Sequence, residues 1–333
     1  MRYVIPGGTG QVGAILTRGL RAAGHEVLVI GRSVADPALR WDGRTVGPWM
    51  DALDGADVVV SLAGRSVDCR YGWENLELMM RSRVEAALAV GQAIAQVPRP
   101  PGVWLQASTA SIYPHTLTDT FDESASIGPR GDGAPGYWSY SVSIARAWEL
   151  AQQACPTPHT RKVAMRLGFT MSPGPGGIFD VLLWLVRVGL GGPFRSGRQS
   201  VSWLGDRDLV RAVEHLAMDG TLEGPVNLTA PEPIPNAELM AGIREAAGVP
   251  FGLPILPGMD RAGAWLLDTD VELMHKSRRV VPRRLLEAGF TFVQHDWRST
   301  AADLVTRADG RRVAVPMDRL SRSRGPCESR ATH

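Results

Sequence analysis

Cysteine is scarce in this 333-residue chain: Cys69, Cys155 and Cys327 are odd in number and far apart. That pattern excludes a disulfide framework and lacks metal-ligand spacing, and the seven histidines are scattered. No metal site is expected. Charge of one sign is also missing. With 36 Lys and Arg against 34 Asp and Glu, the formal net charge is +2, and the Arg-rich part is confined to the tail from Arg307. A nucleic-acid partner is therefore not expected. Long hydrophobic runs are absent as well: the most apolar stretch, VLLWLVRVGLGG from Val181, is interrupted by Arg187 and is too short to cross a bilayer. The start, MRYVIPGGTG, carries no long apolar region of an export signal. The expectation is a cytoplasmic protein without membrane contact.

What is present is ordinary for a globular protein, with 44% apolar and 21% charged residues and enough length for a large core with a smaller lobe. In the first half, short apolar runs alternate with longer amphipathic stretches. RYVIPG, HEVLVIGRS, ADVVVSLAG and VWLQASTASIY read as strands; QVGAILTRGLRAAG and LELMMRSRVEAALAVGQAIAQV read as helices. ADVVVSLAG is apolar throughout, as a strand buried on both faces must be. This βαβ rhythm predicts an α/β fold with a parallel, doubly wound sheet. After Arg166 the pattern loosens into Gly- and Pro-rich loops around one short helical run. The helices LVRAVEHLAM, NAELMAGIREAAG and RRLLEAGF and the strand GPVNLTAP follow.

The first strand runs straight into glycines. Gly7, Gly10 and Gly13, within Gly7-Gly8-Thr9-Gly10-Gln11-Val12-Gly13, stand at a strand-to-helix turn. A pyrophosphate approaches backbone N–H groups at a helix N-terminus, and a Cβ there would block it. A second strand follows at the expected distance, so dinucleotide binding is the expectation. An acid closing that strand would hold a ribose 2′-hydroxyl; this chain has Arg32 and Ser33 instead, with Asp36 too late. A guanidinium suits a 2′-phosphate through paired charge-assisted hydrogen bonds, which favours NADP(H).

The stretches GGTGQVG, SLAGRSV, RSRVEA, RAWE, GLGGPFRSGRQSVSW, DLVRAV, GPVNLTAPEPIPNAEL and RRVVPRRLLEAGFTF cover about residues 1–305. In these the chain resembles the extended or atypical short-chain dehydrogenase/reductase superfamily, and within it the epimerase family proteins with a DUF1731 C-terminal segment. The resemblance implies an NADP(H)-binding Rossmann domain over 1–165, completed by about 199–230. It implies a substrate lobe from 166–198 and 231–305, with 306–333 left as a disordered tail. It also brings Leu62, Ala63 and Gly64 to the cofactor, and a homodimer through the two long helices is in keeping with it.

The superfamily places a Ser or Thr on the substrate carbonyl after the fourth strand. In ASTASIYP that is Thr109 if Tyr113 sets the register, or Ser108 in the narrower group's register. It then uses a Tyr followed four residues later by Lys, because a phenol is a poor acid–base group at neutral pH without a nearby cation. Here Tyr140 holds the tyrosine position and Ile144 the lysine position; Tyr137 is no substitute, its partner being Ser141. Tyr140, Ile144, Trp148 and Ala151 fall on one helical stripe, so a core role for Tyr140 stands beside a substrate contact. Two further departures from the group's pattern, Gly205 for a His and Val181 for a Lys, suggest a pocket reshaped toward a more apolar substrate, or repurposed. Arg65, Arg198, Gln199, Trp203 and Tyr113 are candidates on the substrate side. Asp68, Arg70, Asp122 and Glu123 read more readily as solvated loop charges. The leading expectation is an NADP(H)-dependent oxidoreductase acting on a small organic molecule. The alternatives are a redox-neutral epimerase or isomerase, and a regulatory NADP(H)-binding protein that has lost its acid–base pair.

Overall fold

The computed structural model describes residues 1–67, 72–128, 138–255 and 276–313. Its centre is a six-stranded sheet in the order β2-β1-β3-β4-β5-β9, with every neighbouring pair parallel. The strands are β1 (Arg2–Pro6), β2 (Glu26–Ile30), β3 (Val58–Ser61), β4 (Val103–Thr109), β5 (Arg161–Leu167) and β9 (Gly224–Leu228). Side chains alternate between faces with the two-residue period of a strand. Tyr3, Ile5, Val58, Val60, Leu105 and Val163 enter one core with α1 (Gln11–Ala22) and α5 (Asp206–Met218). Val4, Val59 and Trp104 enter the other with α2 (Trp73–Gln96) and α3 (Trp138–Ala154). Both faces are covered, which is why these strands read as unbroken apolar runs.

Between β2 and β3 no strand forms; two short 3-10 turns, Pro37–Leu39 and Pro48–Leu53, take its place. β4 stops at Thr109, where the Thr109 hydroxyl accepts from the Ser111 amide and opens a further 3-10 turn, Ala110–Ile112. The strand is thus shorter than VWLQASTASIY suggests.

The second lobe comprises β6 (Phe169–Met171), α4 (Ile178–Arg187), β7 (Ser200–Val201), β8 (Trp203–Gly205), β10 (Ile234–Pro235) and α6 (Asn236–Ala246). The short α7 (Arg283–Glu287) and α8 (Trp297–Val313) follow them in the chain. Parallel β6–β8 and antiparallel β7–β10 are its two small sheets. Phe179, Leu183, Trp203, Met240, Ile243, Trp297 and Leu304 fill its core. α8 runs beyond residue 305 to Val313, so residues 306–313 are helical rather than part of a tail. Ala301, Leu304, Val305 and Ala308 form its buried stripe, and that stripe carries the helix past the expected boundary.

Candidate nucleotide and active site

Beyond the carboxyl ends of β1 and β3 the connections run to opposite sides of the sheet, the place where such sheets hold ligands. Gly7 lies there at φ +79°, and a Cβ on it would stand 2.5 Å from the Ala63 amide nitrogen. The Gly7 amide donates to Ile30 O and the Leu62 amide to Pro6 O, both at 2.8 Å. Gly13 abuts the Gly8 backbone, whereas nothing stands within 4 Å of a Cβ placed on Gly10. Gly10 is the N-cap of α1, with no side-chain cap and no acid in the first turn. The helix amides therefore face open space, the arrangement an anion needs. Val12 is half-buried beside Gly13, and Ala63 is buried.

Thr9 packs against Gly31, which brings the end of β2 to the same loop. Arg32 and Ser33 follow, both exposed. Arg32 forms no ion pair among the described residues. Asp36 accepts from the Ala38 amide at 2.9 Å as cap of its own turn. On the other side, Gly64 lies against the buried Arg83, whose guanidinium donates to Met79 O and sits 5.0 Å over the Trp148 ring. Arg65 ties its amide to Ser82 Oγ and its guanidinium to Asn75 Oδ1, each at 3.0 Å. Gln11 Nε2 is buried without a hydrogen-bond partner and lies against Gly177 at the start of α4. An open glycine cradle, an uncapped helix, a free guanidinium and an orphaned amide donor together fit a dinucleotide with a 2′-phosphate.

The end of β4 separates the two candidate hydroxyls. Ser108 is 3% exposed, and its Oγ donates to Glu149 Oε1 at 2.6 Å. Arg166 grips the same carboxylate at 2.9 and 2.8 Å and donates at 2.8 Å to the Tyr113 hydroxyl, which in turn donates to Asn227 Oδ1 at 2.9 Å. Burial alone would lower the Arg166 pKa, but Glu149 outweighs it and holds the guanidinium firmly protonated. Burial pushes the Tyr113 phenol up despite Arg166. Ser108 and Tyr113 are thus committed to a closed network, and the Tyr113 side chain is fully enclosed. Thr109, partly exposed, receives the Ser111 amide, and among the described residues its O–H has no acceptor.

Tyr140 is half-buried at the start of α3. Its ring packs with Leu76, Met79 and Ile144 and meets Trp73 edge-on at 5.6 Å, while its hydroxyl bonds to nothing among the described residues. Gln106 Nε2 to Trp148 O and Gln152 Nε2 to Trp104 O, at 2.8 and 2.9 Å, lay α3 along β4.

In the second lobe Arg198 is exposed on the loop before β7. Gln199 is buried and donates to Phe194 O, and Trp203 is a core residue against Trp297. Both side chains are buried in the lobe. The expected gaps are also filled: a Cβ on Gly205 would collide with Gln294, and Val181 packs into the lobe core. No reshaped pocket follows from either. Asp122 pairs with Arg283 at 3.3 Å, and Glu123, its pKa raised by burial, accepts the Asn227 amide at 2.8 Å. Asp68, Arg70 and Tyr137 lie outside the described residues. Among the described residues no helix is long and apolar enough to cross a membrane, and no group of His, Cys, Asp and Glu could hold a metal ion.

Arg83, Glu149, Arg166, Asn227 and Lys276 carry much of the site's polarity without having been singled out from the sequence. RSRVEA, RAWE and GPVNLTAPEPIPNAEL contained Arg83, Glu149 and Asn227; Arg166 and Lys276 show their part only when distant segments meet.

The sequence pattern of the NAD dependent epimerase/dehydratase family matches residues 3–227. The chain belongs to this family. The epimerase family protein SDR39U1 of Bos taurus is 32% identical over 296 residues, covering 88% of this chain and 95% of that protein. YfhF of Bacillus subtilis is 26% identical over 311 residues, covering 92% and 98%. The crystal structure of human SDR39U1 (isoform 2) with NADPH superposes at a TM-score of 0.77 with 27% identity, over 92% of this chain and 99% of that one. A UDP-N-acetylglucosamine 4-epimerase from Bacillus cereus, 14% identical with a TM-score of 0.68, shares the fold.

Proposed function

We propose that the protein is an NADP(H)-dependent oxidoreductase of the short-chain dehydrogenase/reductase type acting on a small organic carbonyl or alcohol. The observation that carries the reading is Arg32, an exposed and unpaired guanidinium where β2 meets the glycine cradle, with Asp36 consumed by its own turn. Gly7, Gly8, Gly10 and Gly13 give the backbone room for the pyrophosphate. Thr9, Gln11, Val12, Leu62, Ala63 and Gly64 line the crevice, and Arg32 with Ser33 receives the 2′-phosphate. Bound NADP(H) supplies hydride exchange at the nicotinamide C4. Thr109 donates a hydrogen bond to the substrate oxygen, and the free hydroxyl of Tyr140 hands over the proton. Arg198, exposed at the lobe's edge, is the candidate for holding the far end of the substrate.

The test is titration with NADPH and NADH, followed by fluorescence, in wild type and Arg32→Ala. Losing one charge-assisted contact costs about 1.5–3 kcal/mol, a weakening of about tenfold or more, confined to NADPH. Equal weakening of both nucleotides would overturn the 2′-phosphate assignment. NADPH binding without net consumption in the presence of carbonyl compounds would overturn the oxidoreductase reading and leave the redox-neutral epimerase and the regulatory protein.

A further inference from the structure

The helix that bears Tyr140 has an apolar residue, Ile144, where a cation would serve the reaction. A cation reaches the first turn of that helix from elsewhere. Lys276 is 5% exposed and belongs to the second lobe's extended segment 276–281. Its Nζ donates to Ser141 Oγ at 3.2 Å, Ser111 O at 3.4 Å and Trp138 O at 3.5 Å, and lies 6.0 Å from the centre of the Trp138 ring. Ser141 follows Tyr140 in the first turn of α3, and Ser111 lies within the turn that Thr109 opens. One ammonium therefore joins the two segments that carry the candidate reacting groups.

The segment that delivers it is held on several sides. The Ser277 amide donates to His115 Nδ1 at 2.9 Å, the Thr116 amide to Ser277 O, and the Phe121 amide to Arg279 O. The Arg278 amide donates to Ser200 O, and the Ser200 amide to Ser277 Oγ. Further on, the Val280 amide donates to Ser202 Oγ. Stabilising α3 does not explain the placement, because a cation at a helix N-terminus opposes the dipole. A buried ammonium is costly unless it is hydrogen-bonded, and here the acceptors that hold it come from both segments.

We propose that Lys276 is a positioning residue of the reaction centre, tying the first turn of α3 to the turn after β4 and so setting Tyr140 against Thr109. The inference rests on the oxidoreductase reading above. The experiment compares full-length wild type, Lys276→Met and Lys276→Arg by hydrogen exchange, Trp138 emission (against a Trp138→Phe blank), NADPH titration and turnover with 9,10-phenanthrenequinone.

Lys276→Met is expected to speed exchange about tenfold in residues 109–113 and 138–145 alone. It should also change the Trp138 emission and leave NADPH affinity within about twofold; Lys276→Arg restores both exchange and emission. With the quinone, kcat falls about tenfold while KM stays within about threefold. Wild-type exchange in both segments, faster exchange spread evenly over the chain, or failure of the Arg variant to restore it would overturn the proposal. So would a change confined to KM. Should Lys276→Met not fold, Ser141→Ala removes the nearest acceptor and must loosen the same two segments. If wild type leaves NADPH unconsumed, the oxidoreductase reading falls, and exchange still decides whether Lys276 ties the segments.

Discussion

At Glu149 a hydroxyl and a guanidinium share one carboxylate. Its bidentate partner Arg166 is 5% exposed along the side chain, and Glu149 itself 15%. In Glu149→Gln the shape persists but the buried guanidinium loses its anion, a break that costs about 3–5 kcal/mol. Urea unfolding at unchanged m is the measurement, and a midpoint equal to wild type would show the pair to be energetically idle. The sequence offered Ser108 and Thr109 as alternatives because two motif registers place the hydroxyl one residue apart. Glu149, 41 positions away, separates them. Tyr113, a substrate-side candidate from its place after the strand, is enclosed with Asn227 and Arg166 on its hydroxyl, partners 114 and 53 positions away.

Among the elements, α8 departs most from its sequence. Its charged second half, TRADGRRV, looks like tail, yet Arg307 reaches Asp206 at the start of α5 through two 2.8 Å bonds and also binds Asp303 of its own helix. Asp206 keeps 9% of its side-chain exposure and Arg307 26%, so the link is partly screened. Arg307→Ala is expected to cost about 1–2 kcal/mol, between the values of exposed and buried pairs, with added exchange along α8 and the start of α5. No change in the thermal midpoint would mean that the buried stripe alone holds the helix. The sheet strands were legible because burial on both faces demands apolar residues at every position. β4 was over-read, since its last apolar residues, Ile112 and Tyr113, pack from a 3-10 turn instead.

For the whole molecule the clearest pH effect lies on the alkaline side. The Tyr113 phenol is raised above its ordinary value of 10.0, burial being the main cause, and Tyr3 is pushed up to about 12, again chiefly by burial. The folded state thus holds these protons more tightly than the unfolded chain. Their contribution to stability is complete below pH about 10 and is lost as pH rises through the folded values. Tyr113→Phe should flatten part of that alkaline decline in urea midpoints, and absorbance at 295 nm should lose one late-titrating phenol. An unchanged alkaline limb would place the effect elsewhere.

The sequence by itself determined the alternating α/β order, the glycine turn at the first strand and the Arg32 position, because these depend on backbone sterics and on residues close in the chain. Tertiary structure alone decided which hydroxyl after β4 is free, that Gln294 occupies the space beside Gly205, and that a lysine from the second lobe stands beside Ser141. Each of these depends on which distant side chain fills a given volume, and local periodicity carries no record of that.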